Sequence, residues 1–297
     1  MFGTAKSYIR PTLSFLLVDP RHYQITVLSS LILLGIFHFS FYLPWWHVTA
    51  CIGTALVTQF VGDRWIGRHF EPRSALISAL SLTILLRTGS VALSILAAIL
   101  AISSKYILRY RGKHIFNPAN FGLVIVSLLF TSAWISPGQW GTAPLFAVLL
   151  AGMGGIVTGK ARRWDISLGF LAIYAGLLAI RAVYLGDPWS IPLHQIQNGA
   201  ILIFAFFMIS DPKTTPNART GRIVYAAFVA MTGFFIQFYF HNAAGIILAL
   251  IITAPIVPLL DHLFAAQIYR WPRLPRFSTT LSQSKGVSYE TSQIPAE

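Results

Sequence analysis

The sequence predicts an all-α integral membrane protein of about ten transmembrane helices, arranged as two inverted five-helix repeats. Three observations carry this expectation. Only 10% of the 297 residues are charged while 55% are apolar, and mean hydropathy is +0.66; a soluble domain usually carries about 25% charged residues. The apolar residues gather into ten runs separated by short polar loops, the pattern of a helical membrane protein. The Lys and Arg residues fall almost entirely in alternate loops. A soluble chain with ten such runs would lack the polar surface to cover them.

Residues 1–24 precede the first run. Their apolar patch, Leu13 to Val18, is too short to span and lacks a signal-peptide cleavage pattern, so a short amphipathic segment on the inner surface is expected. The first run covers 25–43. Runs at 47–62, 74–87 and 90–104 follow, each shorter than the ~20 residues of a straight span. They are half-helices or extend into their flanking loops. The fifth run, 118–134, opens at Asn117–Pro118, a side chain suited to the N-cap before a residue suited to the first turn. An uncharged loop, Ser132 to Pro144, separates it from runs at 144–158, 166–185, 195–209, 223–240 and 243–261. The run at 195–209 is again short. Pro255 and Pro258 interrupt the last run, so the carbonyls they free need other partners. The transmembrane domain is therefore expected over 25–262. Residues 263–297, with Pro272, Pro275 and a Ser/Thr/Gln-rich end, are expected to be a disordered cytoplasmic tail.

Charge fixes the orientation. With the N-terminus cytoplasmic, the inner segments hold 20 of the 22 Lys and Arg residues, and only Arg87 and Arg181 lie outside. Basic loops mark the cytoplasmic face, so both termini are expected inside a bacterial-type inner membrane. Ten runs divide into five plus five at the Ser132–Pro144 loop, and an odd-numbered unit inverts between halves. No sequence repeat is visible, so the inversion rests on the count.

Several function classes are disfavoured. The net charge of +13 is spread among loops between apolar runs, so membrane lipid rather than nucleic acid is the expected partner. Cys51, the only cysteine, excludes an intramolecular disulfide and a cluster ligated by this chain's thiolates. The eight histidines lie mostly at run ends or in loops, and His38 has no obvious partner, which argues against bis-histidine haem. No metal-protease, Walker or dinucleotide-binding pattern occurs, and neither a metal site nor a catalytic residue is expected. Trp45, Trp46, Trp134, Trp140 and Trp189 fall near the outer boundaries, as an interfacial aromatic belt would.

Two polar islands interrupt the apolar sequence. In the first, Lys105 to Gly122, a capped helix start at Asn117–Pro118 beside Lys113 would present N–H groups and positive charge. That combination attracts a phosphate, a carboxylate or an electron-rich ring oxygen. A plain capped helix start is the alternative. In the second, Ser210 to Arg222, Asp211 could coordinate a cation, pair with Lys213 or Arg219, or cap a turn. Asp261, near the end of the last run, could bind a cation or close a salt bridge.

These motifs resemble a known family. Gly112–Lys113 followed by Asn117–Pro118–Ala119 is similar to the Gly-Lys-x-x-x-Asn-Pro-Ala segment of the NqrB/RnfD family, the membrane subunits of sodium-translocating NADH:quinone oxidoreductase and of Rnf electron-transport complexes. Met208 to Pro212, with Thr220–Gly221–Arg222 after it, resembles that family's Asp-Pro loop. Ala254–Pro255 with Leu260–Asp261–His262 resembles its Ala-Pro…Asp-His ending. The resemblance implies ten helices in two inverted halves, partner subunits of a redox complex, electron transfer across the membrane and, in many members, coupled ion movement. It also implies flavins, one FMN being joined to a threonine of a Ser/Thr-Gly-Ala-Thr motif. Here the corresponding loop has Trp140–Gly141–Thr142–Ala143. The acceptor position falls on Ala143, Thr142 is one place off, and the usual upstream acidic residue is missing, so covalent FMN is not expected. The Asp19–Gln24 opening and the Ser136–Gly141 loop look more like divergent RnfD-like proteins found with enediyne biosynthesis genes.

The expectation is thus a membrane electron-transport subunit that binds FMN or riboflavin, or a quinone, noncovalently, or passes electrons between partner subunits. Lys113, Asn117 and Pro118 would form one wall of the site; Asp211, Thr214 and Thr215 would form another, beside Phe116 and Phe121. No side chain here supplies redox chemistry itself. Two alternatives stand beside this: a cofactor-free transporter or channel on the same scaffold, and a membrane anchor for a redox partner.

Overall fold

The computed structural model describes residues 19–136 and 144–271. Each apolar run coincides with a helical segment. Helix α1, Pro20–Phe37, begins before its predicted run because Asp19 accepts a hydrogen bond from the Arg21 backbone N–H and Pro20 occupies the first turn. Helix α2 is Trp45–Trp65, α3 is Pro72–Leu85 and α4 is Val91–Ile107. Helix α5, Pro118–Leu129, is capped by Asn117, whose side chain accepts from Asn120 N–H. The second five begin with α6, Pro144–Lys160, and α7, Trp164–Leu185. The eighth run is broken: α8, Ser190–Ile196, meets α9, Gly199–Ile203, and the two are bent by 44°. Helix α9 continues as a π-helical turn, Phe204–Met208. Helix α10 is Arg219–Tyr239. The last run is α11, Gly245–Thr253, a 3₁₀ turn at Ala254–Ile256 carrying Pro255, and α12, Val257–Leu263.

Two short antiparallel ladders depart from the all-α expectation. Strand β1, Leu86–Thr88, pairs with β4, Ala133–Ile135. That pairing is why α5 stops at Leu129 while the apolar run continues to 134. Strands β2, Arg109–Tyr110, and β3, Lys113–His114, form a hairpin. Its two turn residues, Arg111 and Gly112, both have positive φ, 47° and 82°, the conformation that matches strand twist in a two-residue hairpin.

Within the first five segments, α1 packs on α3, α2 on α3 and α4, and α4 on α5. Within the second five, α6 packs on α9, α7 on the π turn and on α10, and α10 on α11. The groups meet through α1 against α6 and α5 against α11. Small residues allow the close crossings: a Cβ on Gly122 would collide with the Ala97 carbonyl oxygen, and one on Gly154 would collide with the Phe206 ring.

By length and composition, Trp164–Leu185, Arg219–Tyr239 and Gly245–Leu263 can cross a membrane, and the broken α8–α9 pair makes a fourth. Large apolar side chains such as Phe37, Leu128, Leu145, Ile180, Phe235 and Leu259 stand outward and exposed. This is a helical membrane protein with a strongly apolar exterior.

Candidate functional site

The three motifs meet at one ammonium group. The β2–β3 hairpin turns Lys113 inward, where it is only 8% exposed. Its Nζ donates to the Thr215 carbonyl oxygen (2.6 Å), to Asp261 Oδ2 (2.7 Å) and to Asn217 Oδ1 (3.4 Å). Asp261 completes the lock by accepting from Asn217 N–H through its other oxygen (2.7 Å). Burial lowers the Lys113 pKa and Asp261 acts in the opposite direction. Of the two roles open to Asp261, the geometry has the salt bridge. Asn117 adds a second tie, donating from Nδ2 to the Met208 carbonyl oxygen (3.3 Å).

The Asp211 loop is a tight turn. The Asp211 carboxylate accepts from Lys213 N–H (2.9 Å), and its carbonyl accepts from Thr214 N–H, Thr215 N–H and Thr215 Oγ1. The aspartate side chain thus mimics a backbone turn. Thr214 and Thr215 are buried within that turn. Desolvation raises the Asp211 carboxyl above its ordinary pKa, opposed by the Lys213 N–H and by the charges of Lys213 and Lys105.

Beside this junction lies a cavity of about 690 Å³, within the range of small-molecule and cofactor sites. It opens at the end of the molecule that carries the basic loops. Asn117, Pro118 and Asp211 line it; Lys113, Thr214 and Thr215 do not. Lys113 instead borders a smaller pocket of about 190 Å³ with Asp261. The sequence therefore located the junction and, in Lys105, one polar residue of the helical cavity wall, while most of that wall comes from residues outside the islands. Gln59, Asp63, Ser74, Ser78 and Lys105 belong to α2, α3 and α4 and line the cavity. One signal was present: His47, Cys51, Ala55, Gln59 and Asp63 recur every fourth residue, and all lie on the buried face of α2.

Most charges on the cavity wall have a physical setting. Lys105, 3% exposed, donates to Gln59 Oε1 (2.9 Å) and Ser74 Oγ (2.8 Å). Asp63 accepts from Gln59 Nε2, from Glu71 N–H and from the Tyr106 hydroxyl. Arg21 and Arg73 are neutralised together by Asp19 and Glu71, and these arginines hold the two carboxyls below their ordinary pKa against the opposing effect of burial. The chain after α12 folds back over the mouth. Lys213 Nζ donates to the Tyr269 carbonyl oxygen (3.0 Å), the Arg163 guanidinium lies over the Tyr269 ring, and that of Arg21 lies over the Trp271 ring. Gly141, Thr142 and Ala143 lie outside the described residues, as does the chain beyond Trp271.

Residues 130–270 match the model of the NQR2, RnfD, RnfE family. The match takes in the Asp-Pro loop and the Asp-His ending and leaves the Gly112–Ala119 segment outside. Three similar proteins are each named as a subunit of an ion-translocating oxidoreductase complex. That of Yersinia enterocolitica is 28% identical over 139 residues, 42% of this chain and 40% of its own. That of Citrobacter koseri is 26% identical over 137 residues, 46% of this chain and 35% of its own. That of Escherichia coli O81 is 28% identical over the same length and shares. The chain thus spans 40% or less of the length of these relatives. Its similarity to the NQR2/RnfD/RnfE family rests on the second five segments and the loop before them.

Proposed function

We propose that this chain is an integral membrane subunit of an electron-transport complex, and that the cavity at its basic end seats a noncovalent flavin or quinone. The relatives' names support the redox setting. The single observation that carries the site is the cavity itself, large enough for a cofactor and walled by both groups of helices. Such a site needs an apolar slot and a few fixed polar anchors. Ile77, Pro118, Ala119, Phe207 and Trp271 provide the first; Asn117, Gln59 and Ser74 provide the second. The bound group would supply the redox chemistry. The chain's part is to hold it at the helix junction, limit water through the Tyr269–Trp271 strap and set its electrostatic surroundings.

On this reading the ten segments all span, the basic end is cytoplasmic, and the two groups of five are inverted repeats. The repeated packing scheme supports the last point. Other subunits of the complex would deliver and remove the electrons, and coupled ion movement belongs to the whole assembly.

A second reading rests on the α2 stripe. Its line of His47, Cys51, Gln59 and Asp63 suits a conduit that needs no cofactor. One preparation separates the two. The protein is purified from membranes in mild detergent, its spectrum is recorded, and the precipitated pellet and supernatant are analysed for flavin and quinone. A flavin or quinone released to the supernatant is the expected result. Folded protein without either, even when the solutions are supplemented with both, would favour the conduit.

A further inference from the structure

The charge on the cavity wall specifies its ligand more narrowly than its size does. Seven Lys and Arg residues line it, against Asp63, Glu71 and Asp211. Arg21 and Arg73 are taken up by Asp19 and Glu71, and Asp63 is filled by its three donors. Five cations remain, Arg68, Lys105, Arg109, Lys213 and Arg270, and three of them share one corner. Lys105, Arg109 and Lys213 all act on the His114 imidazole, which burial and their charges push down to about 3. The corner also has unfilled valences. Lys105 uses two of its three N–H donors on Gln59 and Ser74. Arg109 Nε and His114 Nδ1 are buried and have no hydrogen-bond partner among the described residues. Asp211 offsets one of the three charges, acting on both Lys105 and Lys213. Asp63 also acts on Lys105, so the corner's three cations outnumber its two carboxylates. A phosphate monoester carries about −1.5 to −2 at pH 7.

Positive-inside loops alone do not account for this corner. Such loops leave their charges in water or among headgroups, whereas Lys105 is 3% exposed and Arg109 and His114 are half-buried, all on the cavity wall. A neutral quinone or riboflavin would leave the charge and the open Lys105 and Arg109 N–H donors unmatched, at a cost.

We infer that Lys105, Arg109, Lys213 and His114 bind a phosphate monoester, so that the cavity prefers FMN to riboflavin or quinone. The FMN assignment rests on the cofactor reading above; the phosphate assignment does not. A lipid headgroup or free phosphate could present the same chemistry, and the test distinguishes them.

The full chain is placed in phosphatidylcholine nanodiscs, and binding of FMN, riboflavin and inorganic phosphate is measured by calorimetry. A parallel set of discs contains phosphatidic acid. FMN should bind about 30-fold tighter than riboflavin, the worth of one or two charge-assisted hydrogen bonds, and millimolar phosphate should compete. Lys105→Gln should lose that preference for FMN over riboflavin. Arg109→Gln, at a half-exposed position, supplies the same test should Lys105→Gln not fold. Equal affinity for the two flavins would overturn the phosphate corner and leave the cofactor reading standing. Binding of phosphate, or occlusion by phosphatidic acid, without binding of either flavin would uphold the corner and defeat the cofactor reading. No response to any of the anions would overturn the inference.

Discussion

At the residue scale, the central fact is that Lys113 is structural in this molecule. Its ammonium joins the β2–β3 hairpin, the Asp211 loop and the end of the last helix through three acceptors. Removing one partner of a buried ion pair leaves an uncompensated charge and costs about 3–5 kcal/mol. Lys113→Met should therefore lower the unfolding temperature sharply, and adding Asp261→Leu should restore much of the loss, because both charges are then gone. A single variant as stable as the parent would contradict the lock. His114 gives a second prediction. The unfolded chain protonates it below about pH 6.5, whereas the folded chain refuses the proton down to about 3. Its contribution to stability is therefore full above pH 6.5 and is lost as pH falls through that window, at up to about 1.4 kcal/mol per pH unit. His114→Gln should flatten the decline in unfolding temperature between pH 6.5 and 5; an unchanged slope would contradict the neutral imidazole. Asn117 as a cap and Asp261 as an ion-pair partner were legible in the sequence, because each depends on local spacing or on an evident shortage of other partners. The direction in which Lys113 points was not. It is set by the Thr215 carbonyl and Asp261, 102 and 148 residues away.

At the element scale, three irregularities build the site. The β2–β3 hairpin turns Lys113 inward, the π turn at Phe204–Met208 precedes the Asp211 loop, and α4 and α5 cross closely at Gly122. The Ala205 carbonyl within the π turn accepts from Ser167 Oγ (2.6 Å), and such turns gather at functional sites. None of this shows in hydrophobic periodicity, which reports the buried face of an element rather than its hydrogen-bond register. Of the four short runs only the eighth, 195–209, is broken; those at 47–62, 74–87 and 90–104 are continuous helices. Gly122 tests the crossing. Gly122→Val places methyl groups where the Ala97 carbonyl stands, and overpacking of this kind costs about 1–3 kcal/mol. The variant should be less stable and should bind cofactor more weakly, since Asn117, Pro118 and Ala119 move with α5. Gly155→Val, where a Cβ meets nothing within 4 Å, is the control. Equal effects at both positions would show that the crossing does not matter.

At the scale of the whole molecule, the two groups of five share more than a packing order. The second helix of each is tied near its start to the start of the fourth: His47 to Ser94 (2.8 Å) in one, Asp165 to Arg222 (2.9 Å) in the other. The fifth helix of each follows an asparagine turn, Asn117 to Asn120 N–H and Asn242 to Ala244 N–H. These pairs differ in chemistry, so sequence comparison between the halves finds no repeat even where the geometry recurs. The halves also diverge in their interiors. The first encloses Gln59, Asp63 and Lys105; the second is filled by Phe170, Tyr174, Phe204 and Phe234, whose rings pack together. The polar cavity of cofactor size lies mainly against the first group and opens at the basic end. The claim that this cavity holds the cofactor can be tested at its floor. Ser78 lines it and is 5% exposed, while Cys51, the sole native thiol, is fully buried. A Ser78→Cys variant treated with a small thiosulfonate reagent in nanodiscs should react, and saturating FMN should slow the reaction at least about tenfold, as a ligand that excludes water from a pocket would. An Arg64→Cys variant, exposed in the last turn of α2 and outside the cavity lining, should react equally with and without FMN. Unchanged labelling of Ser78→Cys under conditions where FMN is bound would place the cofactor elsewhere and contradict the account.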